Sequence, residues 1–194
     1  MAANVRHSSK TNEQYTPLDL VGRFRKLCRG KIDLDPATTA RVNEDIRARK
    51  FYTKADNGLK LPWGTPRHPK TVFVNPPGGL LGLRAAREWG TRSQQVAWWF
   101  KVMQELQLGH VDRAMFVSFS VELLQACQIQ PTDWHPLDFA WCIPRQRIRF
   151  ERIRRDQRIV GKQPSHSNIL IFPGCFLGEV KRHFGDLGKC GVNR

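Results

Sequence analysis

Apolar and polar positions along the chain follow two periods, and the switches between them mark the elements. The clearest helix is predicted over 94–108. There Val96, Trp99, Phe100, Met103 and Leu106 fall at i, i+3, i+4, i+7 and i+10 and share one face. Gly109 is its natural stop. A first helix is expected from Pro17 to about residue 27, with Thr16 as N-cap. A polar helix over 38–50 would be capped by Thr38 or Thr39, and a short one is expected over 121–128. Compact β-branched and aromatic runs predict buried strands at 71–74 (TVFV), 113–119 (RAMFVSF) and 168–172 (NILIF). Shorter strands are expected at 31–34 (KIDL), 51–53, 139–143 and 147–150. Prolines and an Asn-Gly pair mark 55–70 as loop, and the glycine- and arginine-containing stretch 80–93 is expected to be mobile. Strands alternating with helices predict an α/β fold with a mostly parallel sheet. The last strands, joined by a short basic connection, are expected to form a C-terminal antiparallel hairpin. Flexible tails are expected at 1–12 and 186–194, around a single domain at 13–185.

Composition narrows the picture. A chain of 194 residues with 40% hydrophobic and 25% charged positions has the balance of one globular domain, not of a disordered segment. Lys and Arg number 32 against 17 Asp and Glu, a formal net charge of +15. That excess favours a polyanionic partner, most simply nucleic acid, over a merely basic surface. No run approaches the ~18 apolar residues of a membrane span, and no apolar signal-peptide core opens the chain, so a soluble, cytoplasmic protein is expected. The five cysteines, Cys28, Cys127, Cys142, Cys175 and Cys190, form no CxxC pair. Neither a zinc site nor a disulfide framework is expected, and the thiols read as core or free groups.

Ligands of open α/β sheets sit beyond the carboxyl ends of the strands, and two strand ends carry suggestive chemistry. The first is Asn75-Pro76-Pro77. Consecutive prolines fix φ and remove two backbone donors, and Asn75 is pushed toward an extended form by the proline after it. A stiff corner of this kind can aim the Asn75 amide oxygen and the Pro76 carbonyl at one exocyclic amine. It can also be a plain strand stop. The second is the pair Asp33 and Asp35, followed by Pro36. Carboxylates at a first strand's end can meet ribose hydroxyls or an amino group, or simply finish a turn. Asp56-Asn57-Gly58 reads the same two ways. No glycine-rich turn or P-loop follows Pro36, so phosphate cradling is not expected.

The ordered set Gln14-Tyr15-Thr16-Pro17, Ile32-Asp33-Leu34-Asp35-Pro36-Ala37, Phe51-Tyr52-Thr53, Asp56-Asn57-Gly58-Leu59, Trp63 and Val72-Phe73-Val74-Asn75-Pro76-Pro77 resembles the phage DNA N-6-adenine methyltransferases. Arg147-Ile148-Arg149-Phe150 and Ser165-His166-Ser167-Asn168 fall where that family has a basic strand and a final strand, so the resemblance covers roughly 13–172. It implies a Rossmann-like class I methyltransferase sheet, S-adenosylmethionine as cofactor, no metal, and DNA as substrate in the cytoplasm of a bacterial host. Tyr15, Thr16 and Pro17 would lie by the methionine end of the cofactor. Asp33, Asp35 and Pro36 match the first cofactor motif, and Asp56 would sit near the cofactor adenine. Asn75, Pro76 and Pro77 match the catalytic motif that holds the target amine.

One departure stands out. The family usually has an aromatic after the two prolines, and here Gly78 and Gly79 follow. An aromatic there would stack on a flipped base, an interaction worth about 1–3 kcal/mol. Trp89 and Trp98 are candidate substitutes, each more simply explained by ordinary packing. The departure keeps two other readings open: a catalytically silent DNA-binding protein, and an amine or amide methyltransferase acting on RNA or protein.

The positive charge concentrates at 141–162. Arg145, Arg147, Arg149, Arg152, Arg154, Arg155, Arg158 and Lys162 stand there against Glu151 and Asp156. In an extended segment Arg145, Arg147 and Arg149 share one face while Ile148 and Phe150 take the other. A row of guanidinium groups suits a phosphate backbone. Arg84, Arg87 and Arg92 follow the catalytic motif and suggest a second DNA-contacting loop. His135 and His166 read as structural or surface residues, and a monomer is the simpler expectation.

Overall fold

The computed structural model describes residues 14–119, 121–129, 135–154, 157–160 and 167–193. In chain order the elements are α1 (Leu18–Leu27), β1 (Leu34–Asp35), α2 (Ala40–Ile46), β2 (Lys50–Phe51), β3 (Lys70–Val74), α3 (Leu83–Trp89), α4 (Gln94–Gln107), β4 (Val111–Ser118), α5 (Glu122–Ile129), β5 (Ala140–Pro144), β6 (Glu151–Arg154), β7 (Gln157–Val160), β8 (Ile169–Phe172), α6 (Leu177–Phe184) and β9 (Gly188–Gly191). The expected tail at 1–12, together with Arg155, Lys162, Ser165 and His166, lies outside the described residues.

The apolar runs form the centre of a seven-stranded sheet in the order β2-β1-β3-β4-β8-β5-β9. β2, β1, β3 and β4 are mutually parallel; β8 is antiparallel to both β4 and β5, and β9 is antiparallel to β5. Five of the seven strands therefore run one way. Alternation decides which face each side chain covers. Phe73, Met115, Val117, Leu170 and Phe172 pack toward α1, α2 and α6 with Phe24 and Phe184. Val72, Val74, Phe116 and Ile171 pack the other way with Trp99 and Val102 of α4 and Leu123 of α5. Strands buried on both faces explain why 72–74 and 114–117 read as continuous apolar runs.

Several expectations need correction. The segment 186–194 is not a tail: Gly188–Gly191 is the edge strand of the main sheet, in register with Trp141 to Pro144. It lacks β-branched residues and is a strand because β5 offers it a ladder. Residues 147–150 form no strand. They belong to no element, yet Ile148 and Phe150 are buried and Arg147 and Arg149 exposed. The expected hairpin of 147–150 with 168–172 does not form: β8 pairs antiparallel with β5 instead, and the basic connection between them carries its own separate hairpin, β6–β7. The stretch 80–93 holds α3 and a Leu80–Ser93 bridge. Thr16 caps nothing: Pro17 is the N-cap of α1, with no side-chain cap. Thr39 is the N-cap of α2, its hydroxyl accepting from the Val42 N–H at 3.3 Å.

Candidate functional site

From β1 the chain crosses outward to β2, then returns to the other side of β1 as β3. This reversal is a topological switch point, and the crevice beyond the strands' carboxyl ends is where α/β sheets take ligands. Leu34 is level with Val72. Ideal strand spacing, ~4.8 Å between strands and ~3.3 Å per residue, then puts the Cα atoms of Asp35 and Asn75 on the order of 8 Å apart.

Asn75 is half-buried, Pro76 buried and Pro77 exposed. Asn75 Nδ2 donates to the Gln14 carbonyl at 2.7 Å. A carbonyl can only accept, so this bond fixes which way the amide faces and turns Oδ1 away as an acceptor. Gln14 is held in turn because Tyr15 exchanges two backbone bonds with Glu151 of β6, both 2.8 Å. The segment 14–17, the Asn75 corner and the basic hairpin are thus one connected structure.

The three aspartates have separate situations. Asp35 is buried at the switch point, and its Oδ1 accepts from the Ala37 N–H at 3.1 Å. Burial pushes its carboxyl up to about 7, opposed by the Ala37 N–H and by Thr38. One buried hydroxyl beside the Asn75 strap, Thr16 Oγ1, makes no hydrogen bond, an arrangement that a bound ligand would satisfy. Asp33, in contrast, accepts from the Thr71 N–H at 3.1 Å and faces Arg49 at 3.5 Å, fastening the starts of β1 and β3. Asp56 is exposed and accepts from the Thr53 hydroxyl and N–H at 2.7 and 2.8 Å, which holds its carboxyl below the usual range. Its turn nevertheless lies against the β1 exit. A Cβ on Gly58 would stand 2.2 Å from the Pro36 carbonyl oxygen, so only glycine allows that approach.

Phe119 is the residue that sequence reasoning missed. It follows β4, three residues past the last β3–β4 pair, Val74 with Phe116, and is half-buried. A Cβ at position 78 would lie 3.6 Å from its Cζ and 3.8 Å from its Cε2. An aromatic ring therefore stands beside Gly78 after all, supplied by the neighbouring strand. The parallel pairing of β3 and β4 was the available signal. Trp98 is not free to substitute: it is buried and stacks on Trp63, with ring centroids 6.2 Å apart. Trp89 is half-buried and lines a cleft of about 470 Å³ with Leu59, Lys60, Glu88, Lys101 and Gln104. None of the expected site residues lines that cleft.

Arg84, Arg87, Arg92, Arg145, Arg147, Arg149 and Arg152 are all exposed. Arg158 is not part of that surface: it ties β7 to Asp45 at 2.8 Å and to Glu151 at 2.5 Å. Arg154 ends β6. Among the described residues, no three His, Cys, Asp or Glu side chains gather as metal ligands, and no helix is long and apolar enough to cross a membrane. Compared with protein families, with curated proteins and with solved structures, the chain matches none.

Proposed function

We propose that the protein is an S-adenosylmethionine-dependent methyltransferase acting on the N6 amine of adenine in DNA, on a Rossmann-like sheet. The observation that carries this reading is the Asn75 amide, pinned by the Gln14 carbonyl at the carboxyl end of β3 and next to the Asp35-Pro36 exit of β1. When bound, S-adenosylmethionine supplies an electrophilic methyl group. Asp35 and Thr16 fit its polar parts, since one is a buried carboxyl at the switch point and the other a buried hydroxyl without a partner.

The chain's own residues do the rest. Asn75 Oδ1 and the Pro76 carbonyl accept the two hydrogens of the target amine and direct its lone pair outward. The double proline keeps both acceptors fixed, so little reorganisation is needed at the moment of reaction. Phe119 offers a flat apolar surface for a base turned out of the duplex. The exposed arginines hold the phosphates on either side. The test is transfer of labelled methyl groups to unmethylated DNA. Incorporation is expected for the native chain and loss of it for Asn75→Ala; equal counts from both would reject the reading.

A second reading is a DNA-binding protein without methyl transfer. It is favoured by Asp33 and Asp56, both engaged in internal bonds. Calorimetric titration separates the two, since only the enzyme binds S-adenosylmethionine.

A further inference from the structure

The loop that leaves the Asn75 corner carries apolar side chains where no core receives them. Leu80 and Leu83 are 66% and 67% exposed, and α3 buries none of its residues. Yet the backbone that presents them is braced. The Leu81 N–H donates to the Arg92 carbonyl at 2.7 Å, and the Gln94 N–H to the Gly79 carbonyl at 3.2 Å. Leu80 forms an antiparallel bridge with Ser93, and the Leu81 side chain between the two exposed leucines is buried in the core. The two tips are thus held out on a fixed base.

Their surroundings select the partner. Arg84, Arg87 and Arg92 are exposed around them, while Glu88, the acid of α3, faces Lys60 at 4.0 Å. Apolar tips ringed by guanidinium groups suit a partner with anionic edges and an apolar interior reachable between them. Duplex DNA is such a partner, with phosphates outside and stacked bases within. A second copy of this chain would instead bring the same positive charges against these. The loop is also close to the corner, because the five residues from Asn75 to Leu80 span at most about 18 Å.

We propose that Leu80 and Leu83 are a wedge that enters the base stack of duplex DNA beside the nucleotide presented to Asn75, with Arg84, Arg87 and Arg92 on the flanking phosphates. Apolar side chains inserted between base steps unstack and untwist the duplex, and the unstacked nucleotide can then leave the helix. The site of insertion rests on the methyltransferase reading; the wedge itself does not.

The test needs neither a known target sequence nor a cofactor. A closed circular plasmid is relaxed by a topoisomerase under saturating protein, then stripped of protein and run on a gel. The native chain is expected to leave the plasmid with a lowered linking number. Leu80→Ala/Leu83→Ala is expected to bind the plasmid within about threefold of the native affinity, since phosphate contacts dominate nonspecific binding, and to lose most of the linking change. Leu80→Gln/Leu83→Gln, which keeps side-chain length, should behave the same way, and unchanged melting temperatures confirm that both variants fold. The wedge is overturned if the native chain fails to bind DNA, if it binds without changing the linking number, if the variants change it equally, or if the native chain pairs with itself through these leucines in the absence of DNA. Labelled methyl transfer by the same proteins separates the two ideas. A linking change without methyl transfer removes the enzyme and keeps the wedge; methyl transfer without a linking change removes the wedge alone.

Discussion

Asp35 should make the protein's stability depend on pH in a way that a single substitution removes. Its carboxyl is 1% exposed, and burial raises its pKa from 3.8 to about 7. Between those two values the folded chain holds a proton that the unfolded chain has released. Stability from this group is therefore complete below 3.8 and is lost as the pH rises through 7. The difference amounts to about 4 kcal/mol, at ~1.36 kcal/mol per pH unit. Asp35→Asn keeps the shape and the acceptor for the Ala37 N–H but cannot ionise. Guanidinium unfolding of both proteins from pH 4.5 to 8.5 isolates the effect, because every other titration is common to the pair. The variant should gain on the native chain by several kcal/mol across that range, with most of the gain complete by pH 8. Parallel profiles, constant to within ~1 kcal/mol, would mean that Asp35 meets water and titrates normally, and the picture of a dry switch-point carboxyl would be wrong.

Other expectations are equally direct. Glu105→Ala should destabilise the fold by about 3–5 kcal/mol in urea, because it strips the partner from buried Lys101 and leaves the Trp63 N–H and His110 without their acceptor. Arg145→Ala, Arg149→Ala and Arg152→Ala together should lower the slope of log affinity against log salt by up to about 3, measured by DNA filter binding; an unchanged slope would remove this face from the interface. Gly58→Ala should lower the melting temperature markedly, since its methyl group meets the Pro36 carbonyl oxygen at 2.2 Å; a neutral result would show that the turn can shift away from the β1 exit.

Long periodic segments were legible in the sequence, and elements created by their partners were not. The helix over 94–108 and the apolar runs at 71–74 and 113–119 carry their own signal and appear as α4, β3 and β4. β9 reads as GKCG, which has no strand propensity; the open edge of β5 makes it a strand. β1 has only Leu34 and Asp35, held by the backbone bonds that Asp33, Lys50 and Tyr52 make across it. Off the apolar face of α4, Lys101 and Glu105 are also buried, because the loop with Trp63 folds over them. At the candidate site, Asn75 and Asp35 were readable from local motifs. The bond from Asn75 to Gln14 and the place of Phe119 were not, since one joins residues 61 apart in the chain and the other depends on the β3–β4 pairing.

The double backbone bond between Tyr15 and Glu151 makes an interlock of parts that are remote in sequence. The arginine arm holds the strap, and the strap holds the asparagine's heading. Under the function proposed above, a polyanion seated on the arm would bear on the amide through two backbone bonds and one side-chain bond.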